Sequence, residues 1–449
     1  MAIREGNLEA PKRRPIKWQE PDYYDTNKID DELERVFDIC HGCRRCVSLC
    51  NTFPTLFDLV DESPTLELDG VEKEDYQAVV DQCYLCDLCA ETKCPYIPPH
   101  EWAVDFPQLM LRAKASNFKS QSSGIPKFWR DRLISSTGSL LKTLSTPGIA
   151  QAINLASKSA KLRAIGQKIT GIHADAPLPE FHPKPAKKQL KEHSGQDLPI
   201  KKGSKTTGKV AIYITCYGNH NEPEIVKSLV DVLIHNGIPV QLLTDSNCCG
   251  MPKLELGDLD SVAQLKEQNM PIFQQAIAKG YDIMSIIPSC TLMYREEIPL
   301  MFPNDPAARE VASHFFDPFE YLMGRYKDGL VRTDFKTNLG NVTYHAACHQ
   351  RVQNIGQKTR EFLSLIPDTS VTIIERCSGH DGTYALKEES YEHAMKIARP
   401  VLRRIQESQP DTYGSDCPMA GRLIAHGMND ESKPESPLKM LARAYGLGN

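Results

Sequence analysis

Cys40-His41-Gly42-Cys43-Arg44-Arg45-Cys46-Val47-Ser48-Leu49-Cys50 places three cysteines at every third position and a fourth four residues later. Cys83-Tyr84-Leu85-Cys86-Asp87-Leu88-Cys89-Ala90-Glu91-Thr92-Lys93-Cys94-Pro95 repeats the pattern. A 4Fe–4S cube needs four thiolates at tetrahedral corners. One tight loop can present three of them, and the fourth must arrive from elsewhere. Zinc sites also use Cys-x-x-Cys, but as pairs, so evenly spaced triplets favour iron–sulfur chemistry. The remaining cysteines form a looser set, Cys216, Cys248-Cys249-Gly250 and Cys290, echoed by Cys348, Cys377-Ser378-Gly379 and Cys417. All fifteen cysteines of the 449-residue chain fall into these two kinds of motif.

Outward from the motifs, the length allows about two to four domains. The net charge of −5 is unevenly spread: Arg112 to His173 holds eleven Lys and Arg against the single acid Asp131. The first ten residues lack the apolar core of a secretion signal, and no apolar run is long enough to span a bilayer. A cytoplasmic protein is therefore expected, where clustered cysteines read as metal ligands. Residues 1–35 are polar and proline-containing and read as an extended arm, and 36–110 hold both compact motifs. Residues 111–175 read as a basic amphipathic helical segment broken near Pro147-Gly148. Proline, lysine, serine and glycine dominate 176–208, which reads as an exposed linker.

Residues 209–335 and 336–449 read as an internal repeat of alternating strands and helices. Matching cysteines lie 132, 129 and 127 residues apart (216 to 348, 248 to 377, 290 to 417). Strands are expected at 209–215, 240–243 and 282–287, and again at 341–345 and 371–374. Helices are expected at 222–235 and 391–408. Each cysteine then falls just past a strand C-terminus, where open α/β sheets place their ligands.

The compact motifs resemble those of bacterial two-cluster ferredoxins, in which the distant cysteine of each motif completes the other cube. The resemblance implies one cluster on Cys40, Cys43, Cys46 and Cys94, and a second on Cys83, Cys86, Cys89 and Cys50. Two departures leave the ligands intact: Asn51 follows Cys50 where ferredoxins have proline, and the Cys89 to Cys94 gap is one residue longer. Arg44 and Arg45 lie in the first loop, Asp87 and Glu91 in the second. On those charges the first cluster is expected at the higher potential.

The C-terminal half resembles the cysteine-rich domain family found in the B and D polypeptides of heterodisulfide reductases. The whole chain is similar to the C polypeptide of anaerobic glycerol-3-phosphate dehydrogenase and to the iron–sulfur subunit of glycolate oxidase. The domain order, Cys248-Cys249-Gly250-Met251-Pro252, Cys348-His349 and Gly382-Thr383-Tyr384 carry the resemblance. It implies an electron-transfer subunit: a ferredoxin-like domain, a helical segment and two α/β Cys-Cys-Gly domains. Electrons would pass from a flavoprotein dehydrogenase or another redox protein to a quinone or another acceptor, with no nucleic-acid partner. No Gly-x-Gly-x-x-Gly fingerprint is present to bind a flavin or nicotinamide.

Departures from the pattern bear on chemistry. Met293 stands where the first repeat would carry a fifth cysteine, leaving Cys216, Cys248, Cys249 and Cys290 for a third iron–sulfur cluster or for zinc. Ser378 and Ala420 replace two cysteines of the second repeat, leaving Cys348, Cys377 and Cys417. His345, His349, His380 or Ser378 are candidates for its fourth ligand, and loss of the cofactor is the other reading. The alternative functions are a catalyst working at the first Cys-Cys-Gly site, an electron donor to a diiron peroxidase, and a zinc-bound redox interaction protein. Leu140, Leu141, Leu144, Ile149, Ile153 and Leu155, flanked by lysines, fit either a membrane interface on the cytoplasmic face of the inner membrane or a helix packed on the cluster domain.

Overall fold

A computed structural model describes residues 10–92, 94–120, 126–191, 197–380, 382–429 and 434–447. The first nine residues of the expected arm and residues 192–196 of the expected linker lie outside that set. The N-terminal unit is organised by a helix, Thr26–Cys43, whose Asp25 cap accepts the Lys28 N–H at 3.3 Å. Ile29, Leu33, Val36 and Phe37 repeat at helical spacing and are buried. Phe37 meets Tyr76 and Phe106, building a small aromatic core under both cysteine loops. The extended arm expected through residue 35 therefore ends near residue 25, because this apolar periodicity begins at Ile29.

Before the helix, residues 10–18 have no regular structure yet are firmly attached. The Lys12 N–H donates to the Pro98 carbonyl at 2.9 Å and the Ile16 N–H to the Leu300 carbonyl at 2.8 Å. Trp18 Nε1 donates to the Met301 carbonyl at 3.1 Å. The arm is a strap joining the ferredoxin-like unit to the first repeat.

The C-terminal half contains two parallel sheets. The first has order β2-β1-β3-β4, with β1 Val210–Tyr213, β2 Val240–Leu243, β3 Asp282–Met284 and β4 Phe315–Phe316. The second has order β6-β5-β7, with β5 Gly340–His345, β6 Thr369–Ile374 and β7 Thr412–Ser415. Each repeat thus flanks its first strand with its second and third. Val210, Ala211, Ile212 and Tyr213 are all buried, as a strand covered by helices on both faces requires. The expected helices form at Pro223–His235 and Tyr391–Ser408.

The basic segment forms helices at Phe106–Ser120, Pro126–Ser135, Thr137–Leu144, Ile149–Ala156 and Ala160–Thr170. The break between the third and fourth falls at Gly148, whose φ of 87° suits glycine. The segment is clamped to the second repeat by Arg130 with Glu389 at 2.6 Å and Lys387 with Asp131 at 3.0 Å. Its apolar residues divide by side. Leu141 and Ala150 pack with Phe181, whereas Leu155 and Ile169 are 73% and 78% exposed.

The stretch expected as an exposed linker is held down over its first half. Ala176, Phe181, Ala186 and Leu190 are buried. The Asn154 side chain donates to the Phe181 carbonyl at 2.8 Å and accepts its N–H at 3.0 Å. The prolines keep this chain extended, and an amide reaching from the neighbouring helix supplies the hydrogen bonds that a helix or sheet would otherwise provide.

Candidate redox centres

Cys40 and Cys43 occupy the last turn of the Thr26–Cys43 helix, which Arg44 ends in the left-handed region. Burial, and the thiols of Cys94, Cys46 and Cys43 around it, push the Cys40 thiol up. Burial also raises Cys89, which faces Cys46, Cys83 and Cys50. Leu85 and Asp87 adopt positive φ, 52° and 60°, without being glycine. Backbone strain of this kind is retained where a loop must wrap a ligand. The loops differ in exposure. Gly42, Arg45, Val47 and Ser48 of the first face solvent, whereas Cys83, Leu85, Asp87 and Leu88 of the second are buried.

The loop charges are largely paired. Arg44 forks onto Asp61, with one N–H to oxygen distance of 2.9 Å. Arg13, from the strap and with its side chain 9% exposed, meets Asp105 at 2.7 Å, Asp87 at 3.1 Å and Glu91 at 3.9 Å. Burial pushes Cys83 up to about 12, and the nearby Lys114 ammonium opposes it. Arg13 and Lys114 lie far from the motif in sequence, so in-loop charges alone do not fix the order of the potentials.

The looser cysteines come together at a single cavity of about 290 Å³, lined by Cys216, Cys248, Cys249, Cys290, Cys348, Cys377 and Cys417. Each lies beyond a strand C-terminus, so the two sheets point their ligand-bearing ends at one another. Cys216 and Cys248 Sγ are 3.8 Å apart. Thr137 Oγ1, at the start of the Thr137–Leu144 helix, lies 3.3 Å from Cys248 Sγ and 3.5 Å from Cys216 Sγ. The Gly250 and Met251 N–H groups donate to Cys248 and Cys249 Sγ, both at 3.5 Å. Hydrogen bonds from Cys216 and Cys249 hold the Cys248 thiol low, while donating to Cys248 pushes Cys216 up.

Buried thiols with N–H donors aimed at sulfur are costly as bare anions and suited to a soft cation. The donor set therefore fits an iron–sulfur group. Met293, where a fifth cysteine would stand, is fully buried. Among the described residues, no group of three or more His, Cys, Asp or Glu side chains is gathered closely enough for a single metal ion.

In the second repeat the Gly379 N–H donates to Cys377 Sγ at 3.3 Å, and Cys417 is buried. His345 has both ring nitrogens engaged, Nδ1 with Ser415 Oγ at 2.9 Å and Nε2 with the Arg376 carbonyl at 2.8 Å. His349 Nδ1 pairs with Ser289 Oγ at 2.7 Å, reaching across to the residue before Cys290. Burial and nearby Arg422 push His380 down to about 4, so its imidazole is neutral at physiological pH.

The remaining walls come from elements whose role the motifs did not signal. Tyr84, directly after Cys83, lines the cavity, as do Leu141, Leu144, Ile153, Leu178 and Phe181. Tyr84 packs edge-on against Tyr384 with ring centroids 4.4 Å apart. Gly138 is so close that a Cβ there would lie 3.3 Å from Cys248 Cβ.

Residues 39–97 match a 4Fe–4S dicluster domain, and residues 210–295 and 342–419 each match a cysteine-rich domain. With that domain set the chain is an iron–sulfur electron-transfer protein of the kind that serves as an oxidoreductase subunit. Its relatives include the C polypeptide of anaerobic glycerol-3-phosphate dehydrogenase from Escherichia coli (strain K12), 27% identical over 307 residues, covering 68% of this chain and 74% of the relative. Lactate utilization protein A of Bacillus pumilus is 28% identical over 219 residues, 46% of this chain and 87% of the relative. The B polypeptide of fumarate reductase (CoM/CoB) from Methanothermobacter marburgensis is 24% identical over 263 residues, 57% of this chain and 50% of the relative. Among the described residues no helix is long and apolar enough to cross a membrane.

Proposed function

We propose that the chain relays electrons from a flavoprotein dehydrogenase to a lipophilic quinone. They enter at the solvent-facing loop of Cys40, Cys43 and Cys46, completed by Cys94. They pass to the inner centre of Cys83, Cys86, Cys89 and Cys50, and leave at the cavity between the repeats. The observation that carries this reading is the position of Tyr84. The residue after Cys83 shares a cavity wall with all seven cysteines of the two repeats.

The cavity has a thiol-lined floor and a predominantly apolar wall, which suits a ring with a hydrocarbon tail. Cys216, Cys248, Cys249 and Cys290 would hold a third iron–sulfur cluster there; zinc, the other reading, would need the four thiols to draw closer together. The iron and zinc content of anaerobically purified protein separates the two. When bound, iron–sulfur groups supply one-electron steps. The chain's own residues exclude water, with Leu141 and Phe181 as walls, and hold the thiols in place through Thr137 and the Gly250 amide.

In the test, dithionite-reduced protein is re-oxidised by a soluble quinone analogue. Leu144→Trp, which narrows the cavity, is expected to slow that step roughly tenfold or more while oxidation by ferricyanide keeps its rate. Equal rates in parent and variant would place the acceptor elsewhere.

A membrane surface is part of this reading. Leu155, Leu162, Ile165 and Ile169 are exposed beside the exposed lysines 158, 161 and 168. Apolar side chains flanked by lysines suit an anionic lipid interface. Arg163 is otherwise occupied, donating to the carbonyls of His173, Ala174 and Ala176. Co-sedimentation with anionic vesicles is expected for the parent and lost in the Leu155→Ser, Leu162→Ser, Ile169→Ser variant. A parent that stays in the supernatant ends the membrane reading.

A further inference from the structure

We propose that His380 is the fourth ligand of the second repeat, so that Cys348, Cys377, Cys417 and His380 hold an iron–sulfur cluster through three thiolates and one imidazole. Two independent features support the site. His380 lines the same cavity as the three thiols. Its Nε2 is buried and has no hydrogen-bond partner among the described residues. A buried ring nitrogen without a partner is costly unless something binds it.

Of the other candidates, both ring nitrogens of His345 are engaged within its own repeat, and the His349 ring is held through Nδ1 to Ser289 of the first repeat, which makes its Nε2 the rival donor. Ser378 replaces the missing cysteine by position, but its hydroxyl gives up a proton far less readily than a thiol. A neutral imidazole needs no deprotonation to ligate.

The loop around His380 keeps the form of a ligand loop despite the lost cysteine. The Gly379 N–H bonds Cys377 Sγ as the Gly250 N–H bonds Cys248 Sγ. Gly379 has a φ of 78°, and a Cβ there would meet the Ala394 carbonyl oxygen at 2.1 Å. The turn is therefore fixed from behind. His380 follows Gly379 as Met251 follows Gly250, so a coordinating residue stands where the first repeat has a thioether. Replacing one thiolate by imidazole removes a negative charge, which raises the potential of a cluster, as two histidines do in Rieske centres.

The proposal is independent of which acceptor the protein serves, and its test reads iron and spectra rather than turnover. Anaerobically purified full-length protein is reduced, and nitrogen hyperfine coupling on its clusters is recorded by pulsed EPR, with iron content measured in parallel. The parent is expected to show imidazole coupling, and His345→Ala and His349→Ala are each expected to retain it. His380→Ala is expected to lose the coupling together with one cluster's iron. His380→Cys guards against misfolding: it is expected to keep the iron, lose the coupling and shift that centre to a more negative potential. Absence of imidazole coupling in the parent, or its persistence in His380→Ala, overturns the assignment.

Discussion

Cys83→Ser is expected to remove the inner cube and reduce electron delivery to a quinone analogue to the level of a protein-free control, while the outer cube still takes up electrons. Serine preserves the size of the side chain, so the loop keeps its shape. It cannot replace the thiolate, because its hydroxyl remains protonated where a cluster needs a soft anion. The loss should be total because, among the described residues, Tyr84 of the inner loop is the one residue of either compact motif that lines the cavity. Cys83 is buried, Tyr84 lines the cavity, and the Tyr384 hydroxyl donates to Gln82 Oε1 at 2.6 Å to close the junction. EPR would lose the signal of one reduced cube. A variant that still reduced the quinone analogue at the parent rate would remove the inner cube from the path.

Arg13→Met is expected to cost about 3–5 kcal/mol, since removing one partner strands carboxylates that pair with no other cation among the described residues. Its guanidinium serves Asp87, Asp105 and Glu91 together, with both ends of the Asp105 pair about 9% exposed. Glu297 cannot compensate, because it is a further acid beside Asp87, its carboxyl pushed well up by burial and by that neighbour. Arg13→Lys should recover part of the loss, as a point charge replaces a fork. Thermal bleaching of the cluster absorbance measures the effect. A Met variant that bleaches within about 2 °C of the parent would show that the network contributes little.

Periodic features were readable from the sequence. The cysteine triplets located the ferredoxin-like unit, and the spaced Cys-Cys-Gly motifs marked the repeats and the ends of their strands. The helix Tyr391–Ser408 formed where its apolar spacing placed it. What escaped was long-range in sequence. Arg13 reaches the second loop across 74 positions (13 to 87), and Thr137 reaches Cys248 across 111. No local pattern distinguishes either from an ordinary surface residue. Composition also misled at residues 176–190, because proline and lysine suit an exposed linker as well as an extended chain pinned by Asn154. The choice among His345, His349 and His380 likewise depended on hydrogen-bond partners that spacing does not encode.

The strap bears on how the protein is made. Trp18 donates to a carbonyl 283 positions later, at Met301. On a ribosome the segment carrying both cysteine loops emerges early, but its clasp cannot close until Met301 has appeared. At about 5–20 residues per second, roughly 10–40 s separate synthesis of Cys94 from that of Met301. During that interval Ile16 and Trp18 of the strap lack their carbonyl partners at Leu300 and Met301, and the inner loop is open on its cavity side. Cofactor loading thus has a natural window during translation, and the chain seals its inner centre only after the neighbouring unit exists to receive electrons from it.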